Sequence, residues 1–133
     1  MRARLLALPL LLLAAPAAAT ETLVCALSQH GNGNWIPEIL FVGYEDGADT
    51  AVVSDPVILH FNGRPMTANI AADNARRITF AWKLTASDGR HRISAFIYRA
   101  TYLKGSGRMT ISATPAGFSN RFTGQGTCRK ETR

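Results

Sequence analysis

The residues best suited to chemistry in this chain are three histidines, His30, His60 and His91, with the hydroxyls of Ser54 and Ser87 and several aspartates as possible partners. One histidine within hydrogen-bond reach of both a nucleophile and a carboxylate would make a hydrolase, with the imidazole as general base. The spacing builds no such set. The chain has neither a nucleophile elbow nor a metal-ligand motif, and its histidines sit in unrelated settings. His30 begins the turn His30-Gly31-Asn32-Gly33-Asn34, His60 lies on the opposite face of an apolar run from Val57, Leu59 and Phe61, and His91 opens a strand. Gly105-Ser106-Gly107 has the composition of a phosphate loop, but no helix follows whose N-terminus would hold the anion, so it reads as a hairpin. No catalytic residue, metal or cofactor is expected, and a hydrolase stays as an alternative.

Two cysteines, Cys25 and Cys128, bracket nearly the whole chain, and neither has a ligand partner at zinc-like spacing. Their setting is an exported protein. Arg2 and Arg4 precede the apolar residues 5–13, and Ala17-Ala18-Ala19 offers small residues for cleavage, so a signal peptide is expected over residues 1–19 with Thr20 as the first mature residue. Pro9 and Pro16 interrupt the apolar stretch, which is shorter than the roughly 20 residues a bilayer requires, so no transmembrane anchor is expected. Bulky Val24 ahead of Cys25 does not suit a lipid-anchored cysteine. A periplasmic or secreted location makes a Cys25–Cys128 disulfide the default, with an intermolecular bridge or two free thiols as the alternatives. Residues 20–133 then form one domain, expected as a monomer.

The formal charge of the chain is +6, from 15 Lys and Arg against 9 Asp and Glu. The basic residues are dispersed, at Arg76-Arg77, Arg90, Arg92, Arg99, Arg108 and Arg129-Lys130. Such a surface favours anionic partners such as lipid headgroups, envelope phosphates or an acidic protein. Nucleic acid is not expected, since an exported protein seldom meets it.

The elements that must position these residues are strands. Short runs alternate apolar and polar residues, and each ends in a cluster of Gly, Asn, Asp, Ser or Pro. Strands are expected over residues 22–29, 35–44, 50–54, 57–61, 66–72, 77–86, 91–101, 108–114 and 118–129, with no amphipathic helix. In the best-marked strand Ile78, Phe80, Trp82 and Leu84 share one face and Thr79, Lys83 and Thr85 the other. Ser87-Asp88-Gly89-Arg90 is a hairpin signal, and Gly124 and Gly126 suggest a bend or bulge in the last strand. Eight or nine strands in sequence-adjacent order predict an all-β antiparallel meander, either a closed barrel or a flattened barrel or sandwich. Cys25 is in phase with Leu23 and Leu27, and Cys128 with Phe122, so a disulfide joining the first and last strands would leave no free edge.

Several stretches carry a resemblance: Thr22-Leu23-Val24-Cys25, the Trp35-Ile36-Pro37 start of the second strand, Asp73-Asn74-Ala75-Arg76-Arg77 with Thr79-Phe80-Ala81-Trp82, and Asn120-Arg121-Phe122 with Gly124-Gln125-Gly126-Thr127-Cys128. In these the chain resembles a group of small exported bacterial proteins to which no activity is assigned. More loosely it is similar to the small disulfide-closed barrels that inhibit bacterial lysozymes. That likeness implies a Ser-Gly-x-x-Tyr-type inhibitory loop, and Ser106-Gly107-Arg108-Met109-Thr110 lacks the tyrosine.

The function expected is a non-enzymatic periplasmic binding or interaction module for an envelope protein or a small apolar or anionic ligand. A lipocalin-like carrier is the alternative, with a hydrolase or a lysozyme-type inhibitor behind it. Candidate binding residues are Trp35, an amphipathic ring after a flexible loop, Trp82, beside which a carrier would need room, and His30 and Arg108 in the loops 30–34 and 104–108.

Overall fold

The computed structural model describes residues 20–87 and 93–132, together with Ala7 and Pro9. The export signal expected over residues 1–19, apart from Ala7 and Pro9, lies outside the described residues, as do His91 and the Asp88-Gly89 turn. Eight strands form a closed barrel in which each pairs antiparallel with its neighbour in sequence and the last returns to the first. They are β1 (Thr20–His30), β2 (Ile39–Glu45), β3 (Thr50–Ser54), β4 (Met66–Asp73), β5 (Arg77–Ser87), β6 (Ile93–Leu103), β7 (Arg108–Pro115) and β8 (Phe122–Thr132). The meander is therefore a closed barrel rather than an open sandwich.

Alternation produces this wall because successive strand side chains point to opposite faces. Ile78, Phe80, Trp82 and Leu84 of β5 all point into the core, as the pattern predicts. Across from them β6 contributes Tyr98 and Ala100, and β7 contributes Met109, Ile111 and Ala113. Small residues facing large rings let an eight-stranded barrel fill its interior with side chains. The seam is closed by β1 and β8, which pair without a break from Glu21↔Thr132 to His30↔Thr123, and Cys25 lies opposite Cys128 and is bonded to it.

Four expectations need correction. Residues 57–61 are not a strand but belong to a helix, α1 (Pro56–Asn62), which joins β3 to β4. Asp55 is its N-cap, with Oδ1 accepting the Ile58 N–H at 2.8 Å; Pro56 occupies the first turn, and Gly63, at φ 76°, ends it with its N–H on the Leu59 carbonyl. This turn of helix buries Ile58, half-buries Val57 and Phe61, and exposes Leu59 and His60. The second strand starts at Ile39 rather than Trp35, since Pro37 cannot donate to a ladder. The last strand starts at Phe122, after a turn at Pro115–Gly117 that runs on through Arg121. Gly124 and Gly126 cause no register shift, whereas β4 carries one, between Ile70 and Ala72 against β5.

The up-and-down order places the 31–38 segment, α1 and the 116–121 turn at one end of the barrel, here called the mouth, and the 104–107 loop at the other. The outer wall is divided as well. On β2 and β3 it exposes Ile39, Phe41 and Val52, and on β6 Ile97, while the part of β6 to β8 around Arg99, Ser112 and Thr123 is polar and basic. No helix among the described residues is long and apolar enough to cross a membrane.

Candidate functional site

Trp35 is fixed at the mouth by the loop that follows β1. Gln29 accepts the Ile36 N–H on its side-chain oxygen at 3.1 Å, and Leu27 donates to the Glu38 carbonyl at 2.8 Å, so the loop folds back over the barrel end. The Trp35 ring stacks on Phe96 of β6, with centroids 3.8 Å apart, and on Phe61 of α1 at 5.7 Å. Its carbonyl accepts the Tyr98 hydroxyl at 2.8 Å. Between this loop and α1 lies an open cleft of about 540 Å³, lined by Asn34, Trp35, Pro56, Val57, His60 and Phe61. Its chemistry is that of aromatic and aliphatic side chains, with His60 set edge-on against Phe61. Such a surface recognises apolar groups by area and ring contact.

Among the described residues two buried side-chain polar atoms have no partner. Asp55 is 2% exposed and uses Oδ1 for the helix cap, while its Oδ2 is buried with no partner. The Trp82 ring lies inside the barrel, nearly parallel to Tyr98 at a centroid distance of 5.2 Å, and its indole N–H is also buried without an acceptor. Tyr98 links the two. Burial and then the Asp55 charge push its phenol above the ordinary range. Unpaired buried groups of this kind cost stability.

Burial also raises the Asp55 carboxyl above its ordinary 3.8, against the lowering by the backbone N–H groups of Ile58 and Val57. Over the window from 3.8 up to that raised value the folded chain holds a proton the unfolded chain has released. Stability therefore falls as pH rises through the window. Asp55→Asn keeps an oxygen for the cap and cannot titrate, so it is expected to flatten this part of the curve. Thermal unfolding of both proteins at a series of pH values checks it, and an unchanged slope in the variant would refute the assignment.

His30 and Arg108 belong to a different region. His30 ends β1 and its Nδ1 lies 3.2 Å from the Thr123 hydroxyl, and the guanidinium of Arg108 donates to Gln125 Oε1 at 3.4 Å. Both Thr123 and Gln125 line a second open cleft, of about 410 Å³, on the outer wall of β6, β7 and β8. Thus the four candidate residues divide three ways: Trp35 at the mouth, Trp82 in the core, and His30 with Arg108 outside. The loops at residues 30–34 and 104–108 lie at opposite ends of the barrel, so they do not form one contact surface.

Sequence reasoning missed Val57 and Phe61 as partners of Trp35, because that role depends on reading α1 as a helix. It also missed Arg99 and Arg121 on the outer wall. Among the described residues no group of three or more His, Cys, Asp and Glu comes together that could hold a metal ion. No family model matches this chain, and neither does any curated protein or solved structure.

Proposed function

We propose that this protein is an exported, non-enzymatic binding module that uses the cleft at the barrel mouth to hold an apolar group of an envelope protein. The observation that carries this reading is the Trp35, Val57 and Phe61 cleft, an aromatic recess held in place by side-chain and backbone hydrogen bonds. Export is supported by the signal-like residues 1–19, and a disulfide fits an oxidising compartment. Buried aromatic anchors in recesses dominate many protein interfaces. Leu59, 47% exposed on α1 and adjacent in sequence to the cleft residue His60, extends the apolar surface outside the core.

The test is a photo-crosslinking amino acid placed at Leu59 in the living host, with Ala75 as a control far along the chain at the other end of the barrel. A discrete protein adduct from Leu59, lost on Trp35→Ala, is the expected result. No adduct, or the same adduct from Ala75, would count against the cleft. Leu59→Glu serves as a second variant, because an exposed position can be charged without disturbing the fold. It is expected to weaken the adduct formed from a crosslinker at His60.

A small-ligand carrier is the second reading, favoured by the unpartnered Asp55 Oδ2 and Trp82 N–H. A ligand bearing both a donor and an acceptor could pair them once α1 moved aside. Native mass spectrometry on unreduced protein from the host periplasm separates the two readings. Extra non-covalent mass, displaced by a neutral apolar dye, supports the carrier; bare monomer supports the protein-binding module.

A further inference from the structure

The outer wall of β6 to β8 bears a row of polar side chains set by register. Arg99 lies opposite Ser112, Ser112 opposite Thr123, and Thr123 opposite His30 of β1. One step along the strands, Thr101, Thr110 and Gln125 form a second row. Their strand neighbours Tyr98, Ala100, Ile111 and Ala113 are buried in the core, so these side chains face outward. The two rows floor the 410 Å³ cleft, and Arg121, just before β8, closes one edge.

The groups here are arranged to donate. The Arg108 guanidinium occupies Oε1 of Gln125, which leaves the Gln125 amide N–H₂ as the group free to face a ligand. The contact between His30 Nδ1 and Thr123 leaves Nε2 open. Among the described residues no carboxylate lines the cleft. The ion pairs among the described residues are Lys104–Asp73, Arg129–Glu131 and Lys130–Glu21, so Arg99 and Arg121 carry their charge without a partner. Two guanidinium forks beside hydroxyls and an amide suit a tetrahedral oxyanion, which can accept from several directions at once.

We infer that this cleft is an oxyanion site that takes a phosphate group, through Arg99, Arg121 and the Gln125 amide, with His30 and Thr123 at its side. It lies on the outer wall and involves none of the residues of the mouth cleft, so either site can fail without the other. The phosphate is carried by a free phosphorylated molecule or by a lipid headgroup, and both present the same oxygens.

The test is titration of the disulfide-intact, isotope-labelled protein with inorganic phosphate at constant ionic strength, followed by amide NMR. Saturable shifts centred on Ser112, Thr123 and Gln125 are expected, with affinity weakened at least about tenfold in the double variant Arg99→Gln, Arg121→Gln, equivalent to about 1.4 kcal/mol. Both positions are exposed, and an unchanged melting temperature would show that the variant is folded. Co-sedimentation with phosphatidylglycerol–phosphatidylcholine vesicles, against phosphatidylcholine alone, identifies the source. Vesicle binding lost in the double variant assigns a lipid headgroup, and saturable phosphate binding without vesicle binding assigns a free ligand. Shifts that never saturate, that spread evenly over all basic residues, or that persist in the double variant would overturn the site, as would silence in both assays.

Discussion

Reducing the Cys25–Cys128 disulfide is expected to destabilise the barrel by up to about 4.7 kcal/mol, the chain-entropy value for a loop of about 100 residues. The two cysteines are 103 positions apart, so the bond closes nearly the whole domain and removes a large share of the unfolded chain's freedom. For a domain of this size the loss corresponds to a fall in melting temperature on the order of 20 °C. Replacing both residues by alanine adds a packing loss, because Cys25 is fully buried. Comparing oxidised with reduced wild type isolates the cross-link. The measurement is thermal unfolding by circular dichroism with and without reductant, thiol content being checked in each sample. Equal melting temperatures would mean that the β1–β8 ladder alone sets the stability. The expected intermediate result is a reduced protein that still folds at low temperature, since ten residue pairs join those strands with or without the bond.

Barrel closure was legible in the phase of a few residues. Leu23, Cys25 and Leu27 recur with period two, as do Phe122 and Cys128, so both thiols can point inward, and a bond between them makes neighbours of the first and last strands and leaves no free edge. The β5 alternation was legible for the same reason, because Thr79, Lys83 and Thr85 mark a face distinct from Phe80 and Trp82. In β2 the signal is weaker. Ile39 and Phe41 are apolar yet exposed, so alternation could not separate inner from outer face or show where the strand began. At α1 a five-residue apolar run fits either period, and period alone does not decide such a run. The deciding signals were its ends: Asp55-Pro56 as an N-cap followed by proline, and Gly63 beyond the last turn.

The candidate sites were legible only where one residue announces itself. Trp35, a large ring after a Gly/Asn loop, was visible, and so were His30 and Arg108 as loop-borne polar groups. Their partners were not. Val57 and Phe61 reach Trp35 only through the helix, and Arg99 meets Ser112, Thr123 and His30 only through pairings between strands distant in sequence. Register across a sheet follows from the closed fold, so an outer row of this kind emerges only after the topology is known. The carbonyl–phenol contact between Trp35 and Tyr98 spans 63 positions and leaves no local mark in the chain.

Gly126→Ala is expected to cost about 3 kcal/mol or more, the upper range for overpacking, and to leave little folded protein. Gly126 sits in β8 opposite Leu27 on one side and Met109 on the other. A Cβ built there overlaps the Ala26 carbonyl oxygen, and it lies 2.8 Å from the Ala26 carbonyl carbon and 2.9 Å from Leu27 Cα. These are backbone atoms, so no rotamer change relieves the clash and the two strands must part. Gly43 of β2 is the matched control, since a Cβ there meets nothing within 4 Å, and Gly43→Ala is expected to stay within about 0.5 kcal/mol of wild type. Expression level and melting temperature of the two variants check the contrast, and a Gly126→Ala protein that melts with Gly43→Ala would show that the seam can widen at no cost. The disulfide is intact in both variants, so the comparison separates two kinds of closure. Cys25–Cys128 holds the ends of the chain together covalently, while the close approach at Gly126 lets the backbone ladder form between them. If Gly126→Ala unfolds with its disulfide formed, the ladder closes the barrel and the bond only secures it. The parted strands would then present two unpaired edges, and the unfolded variant is expected to aggregate.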